Sequence, residues 1–308
     1  MQHPRKIKGI AVLLILCWLP FAMAAASGVQ QEPDKAAVTN LPPLVSRALP
    51  MDFSGGAALD PNGYHGGDFY ADPTVRVSVK SGRADECDYW VADIQIGHPS
   101  QLRTAAADAF STNMALPGAT IARRVNAAFA LNGDYYSFTR KGFIVRQGVA
   151  YKDILEGRRD LLLIDENGDF HFVHNAKKGE GLLEVGGKKI VNAFFFGPIL
   201  VENGAMVEHF SFDEMTLSER CQRICIAQAG PLHYQVACCA GPYRGSTGMT
   251  MKEFAKLVYG LGLNNAYNLD GGNSAMMIFN GKKINDPENP KTRDIVDILY
   301  FASSAGNE

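Results

Sequence analysis

Asn268-Leu269-Asp270-Gly271-Gly272-Asn273-Ser274 ends an apolar run in a carboxylate on a glycine-rich turn. Upstream, Thr250 and Glu253 have capping-box spacing, and Phe254, Leu257, Val258 and Leu261 follow as one apolar helix face. Gly260 and Gly262 suit the end of that helix. Tyr267 and Leu269 read as strand. Downstream, residues 275–279 form a second apolar run closed by Asn280-Gly281, the dipeptide of a type I′ hairpin turn. Asp270 is therefore expected between a strand and a hairpin, where a ligand can reach it.

The same pattern occurs 138 positions earlier, where NAAFALNGD from Asn126 aligns with NNAYNLDGG from Asn264. Asn132 falls on Asp270 and Gly133 on Gly271, so two helix-strand units each present a polar tip. Asp, Asn and Gly also populate turns for backbone reasons alone; the matched pair is what favours a functional reading. Val75, Val77 and Val79 alternate like a half-buried strand, and residues 93–96, 161–164 and 193–196 are further short apolar runs. These point to an α+β fold. A strand-rich single domain is expected, with a mixed curved sheet, a few packed helices and two pseudo-repeated helix-strand-polar-turn units.

Four motifs, Asn132-Gly133-Asp134-Tyr135-Tyr136, Phe196-Gly197-Pro198-Ile199-Leu200-Val201, Gly248-Met249-Thr250 and Asn268-Leu269-Asp270-Gly271-Gly272, resemble those of phosphodiester glycosidase domains and keep their order. That family includes the lysosomal uncovering enzyme, N-acetylglucosamine-1-phosphodiester alpha-N-acetylglucosaminidase, and bacterial proteins linked to exopolysaccharide. The resemblance spans roughly residues 75–301. It implies removal of a sugar from a sugar-1-phosphodiester by hydrolysis. Three segments depart from the pattern, the first being Arg223-Ile224-Cys225-Ile226-Ala227-Gln228, which keeps the arginine and glutamine of the family's Arg-Thr-Ala-Ile-Gly-Gln but not its Thr and Gly. Asp270-Gly271-Gly272-Asn273-Ser274-Ala275 stands where the family usually has Asp-Gly-Gly-Gly-Ser-Ser. Cys239-Ala240-Gly241-Pro242 lacks both the acid and the base of a Val-Asp-Gly-Arg-like segment.

The amino terminus carries Arg5, Lys6 and Lys8, an apolar run over 10–19 and Ala22-Met23-Ala24, the layout of a secretory signal peptide over 1–24. The apolar run is too short for a comfortable membrane span, so none is expected after cleavage. Leu16 before Cys17 argues against a lipoprotein signal. Export to the periplasm, cell surface or medium is expected. Removal of 1–24 leaves 27 Lys+Arg against 32 Asp+Glu, a mildly acidic balance that gives no reason to expect nucleic-acid binding. Residues 25–67, rich in Ala, Pro, Gly and Ser, read as a linker, and 68–308 as one domain. Cys87, Cys221, Cys225, Cys238 and Cys239 survive cleavage. An exported location leaves room for one disulfide, while the adjacent Cys238-Cys239 pair is poorly placed for zinc.

Glycoside hydrolysis needs carboxylates near the anomeric carbon, and Asp270 and Asp134 are the candidates, with Asn132 beside them. A phosphate leaving group is a weak base, so protonating it matters less than usual. Its charge calls for arginine forks, and the resemblance points to Arg223 first and Arg293 second. Gly133, Gly271, Gly272, Ser274, Gln228 and Tyr135 complete the expected substrate-binding set; Tyr135 and Tyr136 are open to a sugar-stacking or a core role. No cofactor is expected, although Asp134, Asp270 and Asn132 are hard oxygen ligands that suit Ca²⁺ or Mg²⁺. His171, His174, His209 and His233 lack metal spacing. The expected partner is a sugar phosphate or polysaccharide. The alternative is an exported carbohydrate-binding or exopolysaccharide assembly protein that keeps the fold without turnover.

Overall fold

The computed structural model describes residues 41–306, apart from 139, 156, 178–181, 288 and 290. The signal peptide expected over 1–24 lies outside the described residues.

Three sheets and three short α-helices make up the described fold. The largest sheet has nine strands, in the order Tyr64–His65, Phe69–Ala71, Val75–Ala84, Cys87–Ile96, His233–Cys239, Arg223–Gly230, Asn265–Asn268, Ile199–Glu202 and Ala205–Met206. A five-stranded sheet runs Lys282–Lys283, Met277–Phe279, Ala127–Asn132, Asp297–Ala302 and Leu102–Ala106. The third sheet is built on Phe170–Val173, Leu161–Asp165, Lys188–Phe194, Gly142–Arg146 and Val149–Ile154, with Glu184–Val185 paired to Lys188–Phe194. Every strand pair among the described residues is antiparallel, which corrects the expected mixed sheet. Tight hairpins explain the pattern. The turn between Val75–Ala84 and Cys87–Ile96 places both Asp85 and Glu86 at positive φ, as a type I′ turn demands. Asn280 and Gly281 do the same after Met277–Phe279, as expected.

The main core lies between the nine-stranded and the five-stranded sheets. Val77, Ile94, Ile224, Ile226 and Tyr267 of one pack with Phe129, Leu131, Met277, Leu299 and Phe301 of the other. Strand alternation then sends Cys225, Ala227 and Ala237 to the outer face of the nine-stranded sheet, which the helix Met251–Gly260 covers through Phe254 and Val258. That helix begins with the Thr250/Glu253 capping box in full: the Thr250 side chain accepts from the Glu253 N–H and Glu253 Oε2 from the Thr250 N–H. The helix Gly118–Arg124 covers the other outer face, setting Ile121 and Ala122 against Ala130, Ile298 and Tyr300. The layers are thus helix, sheet, sheet, helix. The two units of the internal echo share the order helix then strand, but their strands belong to different sheets.

Residues 42–67 do not behave as the linker expected there. Leu49 and Ala57 are buried, and the amides of Gly56 and Ala57 bond to the carbonyls of Val125 and Ser303. Arg103 explains the attachment. Its side chain is fully buried and donates to the carbonyls of Pro50, Asp52, Ser54 and Ser100 and to the Tyr300 hydroxyl. A buried guanidinium requires such partners, and the 50–54 segment supplies most of them. The five cysteines are free thiols, so the disulfide that export left open is not formed here. Register sets Cys225 and Cys238 opposite Ala237 and Ile224, and Cys239 opposite Arg223 and Tyr89, while the Cys87 and Cys239 side chains meet as thiols.

Candidate active site

The strands Ala127–Asn132 and Asn265–Asn268 come from different sheets and end at the same place. Asn132 Nδ2 donates to the Asp270 carbonyl at 2.8 Å, and Asn132 Oδ1 accepts from the Met276 N–H at 3.0 Å. The Asp270 turn is fastened on its other side too. Asn268 Nδ2 donates to the Gly197 carbonyl at 2.8 Å and the Asn268 N–H to the Pro198 carbonyl at 3.0 Å, which sets Ile199–Glu202 beside it. Gly272 donates its N–H to the Gln222 carbonyl at 2.8 Å with φ at +57°, a left-handed position that suits glycine. Between the two tips opens a small pocket lined by Asn132, Gly133, Tyr135, Asp270, Ser274 and residues 294–297.

Behind the pocket lies a charge network that the sequence reading missed. Arg146, at the end of Gly142–Arg146, is fully buried; its Nη2 donates to Asp134 Oδ1 at 2.8 Å and to Asp297 Oδ2 at 3.0 Å, and its Nε to Asp297 Oδ2 at 3.1 Å. Nη1 donates to the carbonyls of Val145 and Ala193, so all five N–H groups are committed. The Phe194 ring lies 4.2 Å from the guanidinium carbon. Asp134 Oδ2 accepts the Phe195 N–H at 2.7 Å, so both of its oxygens are taken. Burial pushes the Asp297 carboxyl up to about 7 against the pull of Arg146, and the charge of Asp134 adds to the rise. Gly133 sits directly over that carboxyl, where any Cβ would overlap it.

Asp270 faces the pocket. Burial is the main cause that raises its carboxyl to about 6, and Asp134 adds a like charge; Ser274, Arg293 and the Gly271 amide pull the other way. Ser274 is buried, and its Oγ makes no hydrogen bond of ordinary geometry. The exposed Arg293 is placed by its N–H, which donates to the Asn273 carbonyl at 2.9 Å, and by the Tyr135 ring, 5.8 Å from its guanidinium carbon. Its guanidinium makes no hydrogen bond or ion pair with any described residue. The tyrosine pair divides. Tyr135, at φ +62°, lines the pocket, whereas Tyr136 is buried between Phe110 and Arg146.

Two expected substrate contacts are corrected. Arg223 is buried on the helix-covered face, its Nη2 donating to the carbonyls of Thr216 and Glu219, each at 2.7 Å, and its Nε to that of Met249. It fastens the segment before its own strand instead of meeting a phosphate. Gln228 lies opposite Asn265, three residues from the Asn268 end, and binds the Phe170 N–H and Asp169. The oxygens proposed for a cation also have other partners: Asn132 Oδ1 holds Met276 and Asp134 holds Arg146 and Phe195. Among the described residues, no cluster of three or more His, Cys, Asp or Glu side chains is arranged for a metal ion. Asp134, Asp270 and Asn132 do converge, with Asp134 behind the pocket and the other two on its wall. The missed Arg146 and Asp297 carried one signal, a lone charge in an otherwise apolar strand.

The model of the phosphodiester glycosidase family matches residues 125–302, which include every member of this pocket and its charge network. No curated protein matches the chain significantly. Among solved structures, the fold is similar to the catalytic domain of zebrafish N-acetylglucosamine-1-phosphodiester alpha-N-acetylglucosaminidase, a form auto-inhibited by its pro-peptide. The TM-score is 0.60 at 17% identity, over 80% of this chain and 87% of that one. A hypothetical protein from Synechocystis gives a TM-score of 0.50 at 16% identity, over 74% and 62% of the two chains.

Proposed function

Because the chain belongs to the phosphodiester glycosidase family, we propose that it is a hydrolase that removes a sugar from a sugar-1-phosphodiester and releases a phosphomonoester. The carrying observation is Asp270, a carboxyl of raised pKa on the wall of a pocket whose rim holds an uncommitted arginine, Arg293. Asp270 acts on the anomeric carbon as a carboxylate, either attacking it or activating water. Arg293 binds the phosphate, whose charge grows on the departing oxygen. Arg146 keeps Asp134 and Asp297 from adding two uncompensated charges beneath an anionic substrate, and the raised pKa of Asp297 reduces that charge further. Tyr135 holds Arg293 at the rim and offers an aromatic edge to the sugar.

The basic, apolar and small-residue layout of the first 24 positions supports export, and surface polysaccharide or glycoconjugate is the substrate pool this would place within reach. The test is a panel of sugar-1-phosphodiesters incubated with the purified protein and with Asp270→Asn. Release of free sugar by the wild type alone is expected. Sugar binding without release from any diester would support the non-catalytic carbohydrate-binding reading instead.

A further inference from the structure

Arg159 is a further arginine held against aromatic rings. Its guanidinium carbon lies 4.6 Å from the Phe212 ring centre, 5.7 Å from that of Phe196 and 5.9 Å from that of Phe195, and the side chain is half-buried. It makes no hydrogen bond or ion pair with any described residue. The nearby acids are engaged elsewhere. Asp160 accepts from the N–H groups of Asn175 and Ile199, and Asp213, which feels the Arg159 charge, caps Thr216. Cation–π contact fixes the position of a guanidinium while leaving its in-plane N–H donors open, the arrangement that suits a carboxylate or phosphate.

Its location links it to the pocket. The Phe195 N–H binds Asp134, the Phe196 N–H binds the Tyr267 hydroxyl, and the Gly197 carbonyl receives Asn268, two residues before Asp270. Two of the three rings that hold Arg159, those of Phe195 and Phe196, thus belong to the segment that joins the two tips of the site. Arg293 is the cation on the opposite chain segment, beside Asp270 itself.

We propose that Arg159 binds a second anionic group on the far side of the phosphodiester, so that the preferred substrates carry a charged aglycone. This rests on the reading of the pocket as a sugar-1-phosphodiester site. A neutral alcohol would leave these donors to water, whereas a carboxylate or phosphate would form charge-assisted hydrogen bonds with them.

The experiment uses sugar-1-phosphodiesters of ω-hydroxy acids and of matching diols at several chain lengths, with wild type, Arg159→Met and Arg159→Lys. Methionine keeps an apolar side chain among the rings without the charge. At one or more chain lengths the wild type is expected to prefer the acid over the diol in kcat/KM, and Arg159→Met to reduce that preference by about tenfold or more. Arg159→Lys should retain part of it. An acid-to-diol ratio that is unchanged in Arg159→Met overturns the assignment. Should the wild type cleave none of these compounds, the hydrolytic reading fails on its own. Calorimetric binding of the ω-phosphorylated hydroxy acids to wild type and Arg159→Met then tests the anion site directly, with equal affinities counting against it.

Discussion

The turn after Asn132 and the turn after Asn268 meet at one pocket, yet they are built for different work. In the first, Asn132 holds Asp270 and Met276, and Asp134 holds Arg146 and the Phe195 amide, so the polar atoms are committed to protein. In the second, burial lifts Asp270 to about 6 and leaves its carboxyl facing the pocket. Like-sounding turns can therefore divide into a support and a reacting group. The difference comes from which neighbours satisfy them.

The largest expected effect separates the tips directly. Asp270→Asn should lower kcat by roughly a thousandfold or more with circular dichroism unchanged, since a carboxamide supplies neither nucleophile nor base. Adding Asn132→Asp should not restore turnover; recovery in the double variant would show that the tips are interchangeable and the comparison mistaken.

Next comes the support. Arg146→Met leaves Asp134 and Asp297 buried with no cation, and loss of one partner of a buried ion pair typically costs about 3–5 kcal/mol. Denaturant midpoints at neutral pH should fall accordingly, and an unchanged midpoint would mean that the network does not hold the first tip.

The pH dependence then distinguishes a reacting acid from a supporting one. With Asp270 raised to about 6, kcat/KM should fall as pH drops below that value and level off above it, if the carboxylate is the working form. Stability should run the other way. A raised folded-state pKa contributes stability that is fully present below the unfolded value of 3.8 and is lost as pH rises through about 6. Asp270→Asn should therefore be more stable than wild type near pH 8, with the gap closing toward pH 4. A gap that widens on acidification would contradict the raised pKa.

The smallest effect is expected at Asn132→Ala, which removes the bonds to Asp270 and Met276 for about 1–3 kcal/mol. A measurable fall in kcat should accompany it, because the Asp270 turn loses one of its anchors. Full kcat in a folded variant would show that the other anchors suffice.

Local signals in the sequence carried much of this. The Thr250 cap, the apolar face of Met251–Gly260 and the Asn280-Gly281 hairpin depend on neighbours a few residues away, so spacing reveals them. The meeting of Asn132 with Asp270 followed from the internal echo, although the two strands turned out to lie in separate sheets. Arg146 and Asp297 stayed hidden because they are partners across 151 positions, and each alone is only one charge in an apolar strand. Arg223 was misassigned although strand alternation already spoke against it. It shares a face with Cys225 and Ala227, whose apolar side chains pack toward the helix Met251–Gly260. The attachment of residues 50–54 is invisible in composition, which says nothing about a distant Arg103 that requires the carbonyls of Pro50, Asp52 and Ser54.

That arginine gives the domain a chemical starting point. The folded unit already includes the acceptors of Arg103 from Pro50 onward, well ahead of the first regular strand. An irregular, exposed stretch ahead of the sheets thereby serves the interior as much as a strand does, by closing over a buried cation. Shortening the chain to its regular elements would leave a permanent cation in the core facing carbonyls that are no longer there.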